Sequence, residues 1–458
     1  MVGPAGDSVL GRERRALTLG VLLAIAAFAI EGMGIVPALP TAVRDLGGMA
    51  LFGWAFSAFM LAWLVGTVIG GQLADARGPG SPMALGLCGF GAGLLVAAAA
   101  TTMPLFLAGR SLQGAGGGAM IAAAYVAIAR GYPDALRPRM MALTSSAWVL
   151  PAILGPVLSG AVVERASWRL VFVGVVPLLA ITALVVLPPL RPLVVRGSSS
   201  GFPRALSALR LAAGAGIALA APSLRSLGLF VVLASLAVGT VMLFPALLSL
   251  LPRGTLLARR GLPAGIAARG LLAFGYFGTE AFVPLGASEL RGATPTQAGL
   301  ALTAGSLGWL FASWLQDRQE ARSGPEGRAR RVQGGFVMVV VGIALIAAGL
   351  LTSLPLALTA VGCVIAGAGV GAAYGAGSLF CIKEAPCGQE GEVSGQLQLM
   401  EALCTAAGTG LGGALLALML GHGRSHREAL VAVFAFTLAA SSVGIAVAAR
   451  LTSSSKER

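Results

Sequence analysis

Long apolar runs follow one another along the whole chain, and no other feature limits the fold as tightly. Six come first: Ala16–Leu39, Trp54–Ala74, Pro82–Thr101, Pro104–Arg130, Arg139–Val163 and Trp168–Leu190. A basic Ser/Gly-rich stretch, Arg191 to Gly201, separates them from two more, Phe202–Ala221 and Leu224–Leu251. Six others complete the series: Pro263–Leu285, Thr296–Leu315, Gly334–Leu351, Leu354–Phe380, Gly395–Leu420 and Ala429–Arg450. A helix crosses a bilayer with about 20 mostly apolar residues, which is the size of these runs. A membrane β-barrel would need strict alternation of apolar and polar residues, and the runs are continuous. Charged residues are 11% of the 458, against about 25% in an ordinary soluble protein. With 57% apolar residues and a mean hydropathy of +0.87, a soluble fold would expose more apolar surface than water tolerates. An all-α polytopic membrane protein remains.

The loops orient the chain. Net charge is +14, from 32 Lys+Arg against 18 Asp+Glu. In a bilayer such an excess marks cytoplasmic loops rather than a nucleic-acid partner. Basic residues gather in alternate loops and both tails, among them Arg12, Arg14, Arg15, Arg77, Arg130, Arg137, Arg139, Arg191, Arg196, Arg328, Lys456 and Arg458. The opposite loops carry fewer, such as Arg44, Arg165, Arg225, Arg291 and Arg424. Both termini are therefore expected in the cytoplasm of a plasma (inner) membrane protein, with the first run kept as an uncleaved anchor. Fourteen spans are expected. Removing the middle pair would leave twelve with the same parity, and Arg204 and Arg210 make Phe202–Ala221 the weakest span.

Soluble chemistry finds little support. Cys88, Cys363 and Cys404 sit in apolar runs as small packing residues. Cys381 and Cys387 lack the neighbouring His or Cys that a metal site needs, and His422 and His426 share one polar loop. No metal, cofactor or enzyme activity is expected, because no nucleotide loop or nucleophile triad is present. Glycines four apart, Gly114 and Gly118, Gly367, Gly371 and Gly375, and Gly408 and Gly412, mark close helix packing.

Between the second and third runs stands Gly71-Gln72-Leu73-Ala74-Asp75-Ala76-Arg77-Gly78. Its glycines suit a tight turn, and Asp75 can meet a cation or a helix N-terminus. The fourth run holds Arg110-Ser111-Leu112-Gln113-Gly114-Ala115-Gly116-Gly117, and an arginine inside an apolar span is costly unless paired or functional. The fifth holds Gly155-Pro156-Val157-Leu158-Ser159-Gly160, in which Pro removes a backbone donor and Gly permits close packing. Trp168-Arg169-Leu170-Val171-Phe172 opens the sixth, and Glu31-Gly32-Met33-Gly34-Ile35-Val36-Pro37-Ala38-Leu39-Pro40 closes the first. Together these resemble the signatures of the major facilitator superfamily, and of its fourteen-helix drug–proton antiporter branch in particular. The chain departs from the family in having Ala76, Pro79 and Gly80 where basic residues are usual, Pro151 for an earlier Gly, Ser159 for a Gly, and Met33 and Val36 for polar residues. An echo, Leu315-Gln316-Asp317-Arg318 against Leu73-Ala74-Asp75-Ala76, suits two related halves.

The resemblance implies two six-helix bundles, 1–190 and 261–458, with a basic linker and two inserted helices at 191–260. It implies a proton-coupled transporter that exports small amphipathic molecules or drugs by alternating access. Its partners would be that substrate, protons and the lipid bilayer, and it would act as a monomer. Conformational gating falls to Gly71, Asp75, Gly78, Asp317 and Arg318. Gly155, Pro156 and Gly160 form the antiporter motif, and Arg110, Gln113 and Gly114 the motif of the fourth run. A proton-coupled importer or a lipid exporter on the same fold is the alternative, and a non-transporting receptor or lipid-modifying enzyme lies further off.

Charges at depth should face a cavity or each other. Glu31, Glu280 and Arg110 are expected in the outer part of the membrane, as a protonatable carboxylate with a cationic partner. Glu31 ranks first as the proton carrier and Glu280 next. Glu401 is expected as a solvated carboxylate near the inner surface. Tyr125, Trp148, Tyr276 and Tyr374 read as packing aromatics.

Overall fold

A computed structural model describes residues 8–193, 202–222, 224, 228–323, 327–386 and 389–451. Arg196, Arg225, Cys387, Lys456 and Arg458 lie outside the described residues, as does the side chain of Arg204. The helices are α1 (Arg15–Asp45), α2 (Trp54–Arg77), α3 (Gly80–Ala98), α4 (Met103–Gly131), α5 (Arg137–Arg165), α6 (Arg169–Val173), α7 (Val176–Leu190) and α8 (Phe202–Ala220). They continue as α9 (Leu229–Leu250), α10 (Leu262–Glu280), α11 (Val283–Arg291), α12 (Pro295–Ser323), α13 (Arg328–Leu351), α14 (Ala357–Lys383), α15 (Glu390–Gly421) and α16 (His426–Ala448). No strand occurs among the described residues.

Among the described residues, twelve helices are long and apolar enough to cross a membrane, with α6 and α7 counted as one. The shorter apolar α8 and the charged α10 stand outside those twelve. Proline decides where two of the apolar runs break. Pro177 cannot donate to the carbonyl of Val173, so Trp168–Leu190 divides into α6 and α7. Pro284 cannot donate to the carbonyl of Glu280, so Pro263–Leu285 ends one helix at Glu280 and opens another that runs on to Arg291. Gly78, at φ +87°, closes α2 in a backbone conformation that other residues rarely adopt. Ser425 and Glu428 form a reciprocal capping box on α16.

The chain divides into two compact units: Met1–Gly47 with Ala58–Ala212, and Gly48–Ser57 with Ala213–Arg458. In the first, α1 packs on α5 and α7, and α3 on α4. In the second, α14 packs between α12 and α13, and α10 between α15 and α16. Helices α8 and α9 meet at Gly214 and Gly239, while α9 keeps Leu229, Phe230 and Val241 exposed, as a lipid-facing helix does.

Candidate functional site

In the first unit α1 carries Glu31 and α4 carries Arg110 and Gln113, one turn apart, all three buried. The Arg110 guanidinium donates to Glu31 Oε1, and to Gln113 Oε1 at 2.6 Å, and lies 4.3 Å from the Phe59 ring centroid. Carboxylate, amide and aromatic face thus surround one cation, which is how a guanidinium is held away from water. Glu31 Oε2 and Gln113 Nε2 have no hydrogen-bond partner among the described residues. The expected meeting of Glu31 with Arg110 is present.

The fifth-run motif packs against the same turn of α1. A Cβ on Gly155 would lie 3.2 Å from Met33 Cβ, and Ser159 Oγ donates to the carbonyl of Gly34. Pro156 and Gly160 are buried beside them. Trp168 Nε1 donates to Asp45 Oδ2 at 2.8 Å and ties α6 to the end of α1.

Asp75 finds a cation. Arg130, from the last turn of α4, donates to the carbonyls of Ala74 at 3.1 Å and Asp75 at 3.2 Å, and stands 3.6 Å from Asp75 Oδ1. A guanidinium at the carboxyl end of α2 complements that helix's negative pole. Gly71 has open space around its Cα. Asp317 is exposed, and Arg318 stacks on Trp314 at 3.5 Å. Three residues on, Glu320 accepts from Arg328 at 2.8 Å and from Arg331, both on α13.

In the second unit Glu280 accepts from the Tyr276 hydroxyl at 3.3 Å and lines a small cavity with Thr279, Gly305, Cys363 and Ala366. No ion pair to Glu280 occurs among the described residues. An adjoining cavity is lined by Arg269, Tyr276, Tyr374 and Glu401. Here Glu401 is not the solvated carboxylate expected. Its Oε2 accepts from Arg269 at 3.2 Å and from the Tyr374 hydroxyl at 2.9 Å. Arg269 also donates to the Tyr374 carbonyl at 2.9 Å and to Ser378 Oγ, and its guanidinium lies 3.4 Å from the Tyr374 ring centroid. Sequence reasoning missed this cluster. Its signal was available in Arg269, the basic residue inside the run Pro263–Leu285, and Glu401, the acid inside Gly395–Leu420. Of the aromatic residues singled out, Tyr276 and Tyr374 line cavities, Trp148 packs edge-on to Phe28 at 5.8 Å, and Tyr125 is exposed.

A family model described as Major Facilitator Superfamily matches residues 17–409. The Multidrug resistance protein 3 of Bacillus subtilis is 31% identical over 166 residues, 36% of this chain and 32% of that protein. The Multidrug transporter protein MdtP of the same species is 29% identical over 160 residues, 35% of this chain and 30% of that protein. The chain thus matches about a third of the length of these curated relatives. Among solved structures, a bacterial homologue of the human lysosomal transporter Spinster gives a TM-score of 0.69 at 14% identity, covering 96% of this chain and 98% of that one. At that identity the likeness speaks for the fold alone.

Proposed function

The chain belongs to the Major Facilitator Superfamily, and from that premise we propose that it is a proton-coupled transporter that exports small amphipathic molecules from the cytoplasm by alternating access. The observation that carries the reading is Glu280, a carboxylate that lines an apolar cavity of the second unit and makes no ion pair among the described residues. A membrane protein keeps an ionisable group at depth at a cost, and proton relays are a common reason for it. The matched relatives named for multidrug resistance and multidrug transport favour drug-like cargo. A proton entering neutralises a carboxylate and carries charge inward, with about 2.3 kcal/mol per 100 mV from the potential. Loop charges favour both termini in the cytoplasm, and the family reading brings with it an inner-membrane location, 191–260 inserted between two six-helix bundles, and a monomer as the working unit.

Gly71, Asp75, Gly78 and Arg130 are the gating elements of the first unit in this reading, and Asp317 and Arg318 those of the second. The test uses the purified protein in liposomes with ethidium, a lipophilic cation, as probe. An imposed pH gradient, acid on the extracellular side, is expected to drive ethidium out against its own gradient, and a protonophore to stop it. Ethidium movement indifferent to the pH gradient would contradict proton coupling.

A further inference from the structure

The helix crossing that holds Arg110 in the first unit recurs in the second, where its cation is replaced. On α4, a Cβ at Gly114 would lie 2.2 Å from the Phe59 carbonyl oxygen, and one at Gly118 2.3 Å from that of Trp63. On α14, a Cβ at Gly367 would lie 2.0 Å from the Gly305 carbonyl oxygen, and one at Gly371 2.4 Å from that of Trp309. Phe59 and Trp63 are four apart, as are Gly305 and Trp309, so the two crossings share one register. Gly114 matches Gly367, and one turn earlier Arg110 matches Cys363 and Gln113 matches Ala366. The carboxylates match as well. Glu31 and Glu280 each stand three residues after a phenylalanine, Phe28 and Phe277, and each faces the position in question, Arg110 or Cys363.

The guanidinium and amide of the first unit are thus a thiol and a methyl in the second. The space beside Glu280 is a cavity with room for about one water, walled otherwise by Leu302, Ile343 and Ile346. The titratable groups that face Glu280 are Tyr276 on its own helix and Cys363 on α14. The walls from α12 and α13 are apolar or glycine, and α16 presents Thr437 to Thr279. Arg269, eleven residues back or about 16 Å along α10, is engaged by Glu401 on α15. On α11, Arg291 is held by the carbonyls of Gly349 and Leu354.

We propose that Glu280 is the carboxylate that takes up and releases the transported proton, that Cys363 in place of an arginine leaves it free to do so, and that Glu31–Arg110 is a standing ion pair that positions α1 on α4. An anionic carboxylate in apolar surroundings is stable only while a cation reaches it. For Glu31 the guanidinium is in place, and its open Oε2 does not alter this, because the charge is shared by both oxygens. For Glu280 the compensating cation is a proton. Hydronium in the cavity gives its proton to a carboxylate oxygen and leaves water, and the reverse step returns the proton to water. This assignment rests on the proton-coupled reading above.

The test is infrared difference spectroscopy of the full-length protein in detergent, titrated with acid, with the proton itself as probe. Exposed carboxylates also protonate in acid, so the signal read is the high-frequency C=O band of a carboxylic acid in apolar surroundings. It is expected in the wild type and in Glu31→Gln, and is expected to be lost in Glu280→Gln. Grafting the first unit's pair with Cys363→Arg and Ala366→Gln should remove the band, and Cys363→Ser should keep it. A band that survives Glu280→Gln, or that disappears in Glu31→Gln, overturns the proposal. If the grafted variant does not run as a single species on size exclusion, the two single glutamine variants decide. Ethidium transport blind to the pH gradient would overturn the coupling role separately, because the loss of the band in Glu280→Gln would still locate the exchangeable proton.

Discussion

Arg110 of α4 donates to Glu31 of α1 with both side chains sealed from solvent, 2% and 1% exposed. Removing one member of such a pair leaves the other charge uncompensated, at a cost of about 3–5 kcal/mol in buried pairs, while replacing both with apolar groups of similar volume is often near neutral. Glu31→Leu and Arg110→Met are each expected to lower the thermal unfolding temperature in detergent, and the double variant to recover most of the loss. Single variants that unfold with the wild type would show that the contact holds nothing together.

The matched crossings give matched tolerances. Gly114→Ala and Gly367→Ala would each push a methyl to within 2.2 Å of a backbone oxygen, which neither neighbour can yield. Both are expected to abolish monodisperse protein on size exclusion. Gly71→Ala, which meets nothing within 4 Å, is expected to fold normally. Equal tolerance at all three positions would contradict the close approach of α4 to α2 and of α14 to α12.

At the end of α2 the weight falls on Arg130 rather than on Asp75. The Asp75 side chain is 75% exposed, and an exposed ion pair contributes about 0–1 kcal/mol. Arg130 also satisfies two terminal carbonyls. Asp75→Asn is expected to leave the unfolding temperature within a degree or two, to retain ethidium binding and to slow ethidium transport. Arg130→Ala is expected to lower the unfolding temperature measurably. Loss of ethidium binding in a folded Asp75→Asn protein would contradict a gating role.

Tyr374 orients the second unit's ion pair through its hydroxyl, 2.9 Å from Glu401 Oε2. Tyr374→Phe keeps the ring under the Arg269 guanidinium and removes one hydrogen bond to a charged acceptor, worth about 1.5–3 kcal/mol. Tyr374→Leu removes both and is expected to cost more. Thermal unfolding of the two variants checks the order, and a reversed order would contradict it.

Much of this was legible in the sequence because lipid forces it to be. Apolar runs had to be helices, and the glycines four apart had to be contacts, as Gly114 and Gly367 are. Glu31 and Arg110 could be paired by depth, since an uncompensated charge in an apolar span has few other options. The partner of Glu401 was harder to find, because Arg269 lies far along the chain in α10 and periodicity says nothing about which helices meet. The contrast between Glu31 and Glu280 was also out of reach. It depends on the register by which Arg110 corresponds to Cys363, and that register is fixed by backbone crossings rather than by composition. The sequence ranks Glu31 ahead of Glu280 as proton carrier; the opposite order is the one we propose.

Proton release on substrate binding tests the central claim most directly. Ethidium is added to the full-length protein in weakly buffered detergent solution, and the pH change is read with an indicator dye. The wild type is expected to release protons into solution, and Glu280→Gln, folded and still binding ethidium, to release none. Undiminished release from Glu280→Gln would contradict Glu280 as the exchangeable site.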